Sequence, residues 1–555
     1  MIAKQQTAAF ATASRAAVLI FGLTLASQTP AWGQTSTPLD ENRVDRAPAT
    51  SSPAIENTSK GALPSAATEI DTDDASAADI RAIDFLDTAI PEVVARAAEA
   101  FIGKPASKAN LQALVQAMSE AYARSDVALF TIVIPRQDLS NGHLRVRVAE
   151  GYLQQVILQG EVENRKLALI RAYADKLTKE RPTSRRRLER YLSLIRDIPG
   201  LKTDARLELG QGTGAVRLVL KLDFEKPRVT FSFDNRTSRF VRDGQFEARA
   251  RAFGMLREGD RTELTGLASI NFHDLLYIGL SHSTPIGTEG GNFGFNYGHL
   301  ETRPARTIIS GAADTLGFTY SYPVIRSYKR NLTTTLALDG VNSDNTAFGS
   351  TIATEKSRAV RLALGYVQTS PRSMLNGGAT VSKGLDILGA EIASNTGKRD
   401  FLKFNARAGF NRTIGKRAVL RFNGSGQWTR DALPAVERFS VGGQQFGRAF
   451  ENGLINADRG VAGLAEAAFR PIPSGRFGQT EIYGFVDYAT VSLLTRPGLP
   501  RRLDFDLASA GGGIRLSYGE KMALGLEAAN TIDAPYPTYN SEWRFSITWR
   551  LSLRP

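Results

Sequence analysis

Apolar and polar residues alternate one by one from Trp543 to Pro555. Trp543, Phe545, Ile547, Trp549, Leu551 and Leu553 fall on one side of an extended chain, and Arg544, Ser546, Thr548, Arg550, Ser552 and Arg554 on the other. The alternation outlasts a half-buried soluble strand of about four to eight residues. Aromatics on one face and charge on the other suit a strand with lipid on one side and a wet lumen on the other. The same texture runs back to Pro227, in Val229-Phe231-Phe233, Phe246-Ala248-Ala250-Ala252, Phe293-Phe295-Tyr297 and Leu402-Phe404, broken by Gly, Asn and Asp turns. At roughly 20 residues per strand and connection, residues 227–555 predict a membrane β-barrel of about 16 antiparallel strands. Closure of such a sheet removes its open edges.

Upstream of Pro227 the period changes. Val93, Val94, Ala97, Ala98 and Phe101, then Leu111, Leu114, Val115, Met118 and Tyr122, recur at helical spacing and predict helices over 91–102 and 108–124. Strands over 129–134 and 143–148 follow, joined by a turn at Asn141-Gly142. The order then repeats: a strand over 153–158, helices over 164–178 and 184–195, and strands over 205–209 and 215–222 around the Gly210–Gly214 turn. Two small α+β units of βααββ type, 81–150 and 151–226, therefore precede the barrel.

The N-terminus sets the compartment. Lys4 and Arg15 precede the apolar run Ala16–Ala26, and Ala31-Trp32-Gly33 places small residues where a signal peptidase reads them. Residues 1–33 are expected to be a cleaved signal peptide. Residues 34–80, rich in Ser, Thr, Ala, Pro and Asp, read as a flexible linker and a candidate plug segment. A chain without Cys has no disulfide to staple it. Its formal charge of +13 would suit nucleic acid, but the Arg residues are interleaved through strands, as in a cationic channel lining. No nucleic-acid partner is expected. His143, His273, His282 and His299 lack metal-ligand spacing, and no Ser-His-Asp or phosphate-loop pattern occurs. Catalytic residues, metals and cofactors are thus all expected to be none, and an enzyme is the weakest reading.

The order of the motifs resembles a known family. Ile134-Pro135-Arg136-Gln137-Asp138-Leu139, Asn141-Gly142 and Val146-Arg147-Val148-Ala149-Glu150-Gly151 resemble the first polypeptide-transport-associated (POTRA) domain of the two-partner-secretion transporters. These are the TpsB, or haemolysin secretion/activation, outer-membrane proteins of ShlB/FhaC/HecB type. Asp197-Ile198-Pro199-Gly200 is similar to the matching part of their second POTRA domain. Tyr322-Pro323-Val324-Ile325-Arg326-Ser327, Phe439-Ser440-Val441-Gly442-Gly443, Phe446-Gly447-Arg448-Ala449-Phe450 and Phe485-Val486-Asp487-Tyr488-Ala489 resemble the family's barrel.

By that resemblance the sixth extracellular loop folds into the lumen. Its tip, Arg448, Ala449 and Phe450, would meet a wall of Phe485, Asp487 and Ala489, with the Arg448 guanidinium paired to Asp487. Both glycines of the family pattern are Ala here. Strand phase agrees independently, since Tyr483, Phe485, Asp487 and Ala489 share one face. Gly442 and Gly443 are the expected loop hinge. Arg185, Arg186, Arg187 and Arg190, on a helix of the second unit, are a candidate docking surface for an acidic client.

The implied protein lies in the bacterial outer membrane with its POTRA domains in the periplasm. It exports a partner exoprotein such as a haemolysin or adhesin, captured unfolded. Outer-membrane lipid, and the barrel assembly machinery during biogenesis, are further expected partners. The alternative is a barrel-inserting assembly factor. A passive porin leaves residues 80–224 unexplained.

Overall fold

The computed structural model describes residues 43–46, 66–70, 78–86, 89–163, 165–238, 241, 243–305, 307–348, 350–540 and 542–553. The expected signal peptide lies outside them. The first unit runs β1 (Ala66–Ile70), β2 (Ala82–Leu86), α1 (Glu92–Glu99), α2 (Lys108–Arg124), β3 (Phe130–Ile134) and β4 (His143–Glu150), with sheet order β1-β3-β4-β2. Ser107 starts α2 by accepting the Asn110 N–H at 3.3 Å. The predicted stripe of Leu111, Leu114, Val115, Met118 and Tyr122 is buried, packed with Leu144, Val146 and Val148 of β4.

One expectation is corrected here. Residues 66–70 fall in the segment read as a flexible linker, yet they pair in parallel with β3 from Ala66↔Phe130 to Ile70↔Ile134. An open sheet edge recruits a strand through main-chain groups, which leave no hydrophobic signature in the sequence.

The second unit comprises β5 (Tyr152–Gly160), α3 (Ala168–Leu177), α4 (Arg185–Arg196), β6 (Leu201–Leu209) and β7 (Ala215–Phe224), in sheet order β5-β7-β6. It is locked to the first by the Ala128 N–H on the Thr183 carbonyl (2.9 Å) and by Ser184 Oγ on Asp126 (2.9 Å).

Sixteen strands then close the barrel. They begin with β8 (Arg228–Asp234), β9 (Gln245–Phe253), β10 (Arg261–Ser269), β11 (Leu275–Ile286) and β12 (Gly291–Thr302). Next come β13 (Ile309–Arg326), β14 (Arg330–Ala347), β15 (Ser350–Ser370), β16 (Ser373–Gly384), β17 (Leu402–Ile414) and β18 (Ala418–Thr429). A separate hairpin, β19 (Phe439–Val441) with β20 (Ile455–Ala457), interrupts the series. The wall resumes with β21 (Arg459–Phe469), β22 (Glu481–Leu493), β23 (Leu503–Tyr518), β24 (Met522–Asp533) and β25 (Arg544–Leu553).

Closure falls on the strand with the clearest alternation: β25 pairs with β8 from Thr548↔Asp234 to Leu553↔Val229. Leu316, Phe318, Leu336, Leu338, Leu362, Leu364, Ile482 and Val486 are among many large apolar side chains left exposed on the outer wall. An apolar belt of that extent has no place in water and matches hydrocarbon. Among the described residues no helix is long and apolar enough to cross a membrane; the crossing is made by strands.

Candidate functional site

The connection from β18 to β21 is the sixth at the barrel end away from the α+β units, and it folds into the lumen. Strand β22 supplies its wall. Glu481, Tyr483, Phe485, Asp487 and Ala489 are buried while Ile482, Gly484, Val486 and Tyr488 face outward. That phase matches the one expected from the sequence. Across from β22, Gly511 and Gly513 make room for its rings. A Cβ at Gly511 would lie 2.9 Å from Phe485 Cε1, and one at Gly513 would lie 2.8 Å from the Tyr483 hydroxyl.

Tip and wall meet, but through different atoms than expected. Asp487 does not take the guanidinium. Its carboxylate accepts the backbone N–H of Gly447 (2.9 Å) and of Arg448 (3.1 Å), together with the Ser509 hydroxyl (2.8 Å). The acid thus caps a turn of main chain, much as an N-cap does for a helix. Arg448 sends one terminal nitrogen past it to Glu466 of β21 and Glu527 of β24, both at 3.1 Å, and its Nε to the Gln444 carbonyl (3.1 Å). Its guanidinium also lies 4.5 Å from the Phe485 ring centroid. The expected pair is corrected for a steric reason: with both carboxylate oxygens of Asp487 taken by amides, the longer side chain reaches across the lumen.

Glu466 and Glu527 were not singled out from the sequence. Their inward phase was readable, but nothing ranked them above other lumen acids. They are held in turn by Arg515 (2.7 Å to each Glu466 oxygen), Arg421 (2.8 Å), Arg236 (3.0 Å to Glu527) and the Tyr483 hydroxyl (2.7 Å). Buried charges so compensated tolerate the loss of water that isolated ones could not. Below them Phe450, fully buried, packs 5.2 Å from Tyr539, and the Ala449 N–H reaches Ser509 Oγ at 3.3 Å.

Gly442 and Gly443 have φ of +100° and +98°, so the expected hinge sits where L side chains are strained. Gly447 (φ +81°) is a third such position, and a Cβ there would crowd Leu507 at 2.9 Å. Ala449 has no positive φ. The family glycine at that place is therefore dispensable in this backbone, and Ala489 is simply buried in the same apolar cluster.

A second cluster lies in the lumen around residues 43–46. Asp45 contacts Lys403 (2.8 Å), Arg43 (3.2 Å) and Arg361 (3.3 Å), while Glu437 of the inserted loop contacts Arg43 (2.8 Å), Lys403 (2.8 Å) and Arg361 (2.9 Å). Two acids thus share three cations. Arg407 adds a bond to the Val44 carbonyl at 3.1 Å. The same wall residues hold the N-terminal segment and the loop together.

Outside the lumen, the second α+β unit forms a bracket against the barrel. Glu258, in the turn after β9, accepts the N–H groups of Leu169 (2.8 Å) and Ile170 (3.1 Å) at the start of α3. Glu289, after β11, takes Lys176 (2.6 Å) and the Tyr191 hydroxyl (2.8 Å). Burial opposes its charge, but these two hydrogen bonds hold the carboxyl below its usual range. Arg326 grips both oxygens of Asp197 at 2.6 Å. The Asp197 and Arg326 motifs of the sequence therefore meet each other.

The basic run on α4, expected as a candidate docking surface, is partly drawn into contacts within the chain. Arg190 bonds the Pro323 (3.0 Å) and Glu289 (2.9 Å) carbonyls, and Arg185 bonds the Val127 carbonyl (3.1 Å) in the first unit. Arg187 pairs with Glu180 at 2.7 Å, and Arg186, 88% exposed, pairs with Asp126 at 3.5 Å. A helix wedged between two bodies spends its cations on carbonyl groups that would otherwise lose their water.

Comparisons with known proteins agree with this architecture. A family described as haemolysin secretion/activation protein ShlB/FhaC/HecB matches residues 214–516, and the ShlB-type POTRA domain matches 79–151. The heme/hemopexin transporter protein HuxB of Haemophilus influenzae is 21% identical over 467 residues, covering 78% of this chain and 79% of that protein. The outer membrane transporter CdiB of Escherichia coli is 24% identical over 371 residues, 63% of this chain and 62% of that one. The solved structure of CdiB from Escherichia coli superposes with a TM-score of 0.68 at 16% identity, over 98% of this chain and 99% of that one.

Proposed function

This chain belongs to the haemolysin secretion/activation protein family, and from that premise we propose how its own residues carry out export. It is an outer-membrane transporter for a partner exoprotein, with its POTRA region in the periplasm. The observation that carries the proposal is a lumen into which two segments are held by ion pairs and hydrogen bonds. The inserted loop hangs on Asp487, Glu466 and Glu527, and residues 43–46 hang on Arg361 and Lys403. Ion pairs and hydrogen bonds can be exchanged for others at modest net cost, so an entering polypeptide can displace both segments without unfolding the wall.

The client arrives unfolded and pairs with a sheet edge of the POTRA units, where main-chain bonding tolerates any side chain. The bracket of Glu258, Glu289 and Asp197 keeps that edge at a fixed position under the barrel mouth. Folding of the client outside supplies direction. Depleting the protein from its host tests this: one secreted exoprotein should vanish while other outer-membrane proteins keep their levels. A general fall in outer-membrane barrels would overturn it in favour of an assembly factor.

A further inference from the structure

We propose that the outer wall of the barrel carries a site for an anionic lipid, a phosphorylated glycolipid of the outer leaflet, beneath the connection between β16 and β17. Strand β15 runs beyond its partner, since its pairing with β16 stops at Ala359↔Gly384. Above that level the connection folds back onto it. The N–H of Leu385 reaches the Arg358 carbonyl (2.9 Å), and Lys356 and Glu391 exchange backbone bonds at 2.7 and 2.9 Å. This pins an overhang whose tip, Ile387 and Leu388, is 48% and 75% exposed.

Under the overhang lies a groove of about 400 Å³ floored by Leu316, Phe318 and Leu338. That floor continues the apolar belt, so an acyl chain lying there loses no hydrocarbon contact. Arg358 stands at its upper margin. The side chain lies over Gly340, where a Cβ would be 3.1 Å from Arg358 Cδ. Its hydrogen bonds go to two backbone carbonyls, Val341 (3.3 Å) and Ser357 (2.8 Å), and to no described carboxylate. The nearby Asp314 is taken by the Tyr297 hydroxyl and by His299, both at 2.9 Å.

An outward guanidinium at the boundary of the belt, free of a carboxylate partner, matches the phosphate that a lipid surface presents at that depth. A free phosphate would gain the charge contact but leave the groove empty. The assignment to the outer leaflet rests on the orientation given by the proposed function; the lipid chemistry does not.

The test uses the full-length protein in mild detergent, titrated with lipid A and followed by native mass spectrometry. Wild type should bind lipid A in preference to phosphatidylethanolamine, and Arg358→Ala should weaken it about tenfold, the loss of one charge-assisted contact. Arg358→Lys should keep most of the binding, and Leu388→Asp should lose it with Arg358 intact. Equal binding by wild type, Arg358→Ala and Leu388→Asp would overturn the proposal, as would displacement of lipid A by millimolar inorganic phosphate. Heat-modifiable gel mobility checks that each barrel is folded, and Arg358→Gln replaces the Ala variant if that one is not. Failure of export with lipid binding intact would count against the transport reading alone.

Discussion

Asp487→Ala probes the seat of the inserted loop most directly. The carboxylate is 1% exposed and accepts two backbone N–H groups and one hydroxyl. Alanine leaves these donors without an acceptor in a closed pocket. Ser509 can turn its proton elsewhere, so the two amides decide the cost. An orphaned buried donor costs about 1–3 kcal/mol, which puts the loss at about 2–6 kcal/mol. A loss near 3 kcal/mol raises the unseated population on the order of 100-fold. The chain has no Cys, so a single Ala449→Cys thiol, at a position 5% exposed when the loop is seated, reports unseating by its rate of maleimide labelling. The rate should rise on the order of 100-fold in Asp487→Ala. Asp487→Asn keeps one carbonyl acceptor and should rise less. Arg448→Ala should also rise less, because Glu466 and Glu527 retain Arg515, Arg421, Arg236 and Tyr483. If Arg448→Ala unseats the loop more than Asp487→Ala does, the guanidinium and not the capped turn holds it, and the reasoning fails.

Three further outcomes follow from the other contacts. Asp45→Ala takes one acid from Arg361 and Lys403, leaving Glu437 to both and Asp339 to Arg361; a cost of about 2 kcal/mol should multiply open events in planar bilayers roughly 30-fold. Unchanged conductance would mean that residues 43–46 do not obstruct the pore. Asp197→Ala leaves Arg326, whose side chain is 5% exposed, with only Asn331 and the Ser327 carbonyl. The second α+β unit should then loosen, seen as a broadened spin-label distance between α4 and the turn at 287–290; an unchanged distribution would show the ion pair to be redundant. Glu289 supplies the pH dependence. Its carboxyl is held low in the docked state, so its contribution is present above the usual carboxylate range and is lost as pH falls through the lowered value. Docking should weaken on acidification, and Glu289→Gln should already be weak at neutral pH and lose less of it in acid.

How much of this was legible in the sequence depends on what kind of group makes each contact. Side-chain periodicity carries packing, so the stripe of α2, the closing strand β25 and the inward phase of β22 could all be read from residue order. Main-chain contacts carry no such mark. Strand β1 pairs through its backbone with the edge of β3, and its residues look like those of any linker. Asp487 fails to show its partner for the same reason, since the groups it binds are the amides of Gly447 and Arg448.

Chain distance hides the rest. Arg448 reaches Glu466 and Glu527, 18 and 79 residues away, and only the closed cylinder decides which of its inward acids the loop will meet. Arg190 shows the complementary limit: its basic neighbours suggest a free surface until the barrel turn is placed beside them, and then it becomes part of a joint. The motif residues at the tip and wall thus fix where two elements meet, while the partner of each charged atom is settled by the atoms already occupied when they do. A carboxylate filled by amides leaves its arginine to search further, and the lumen of this barrel places two more acids within that arginine's reach.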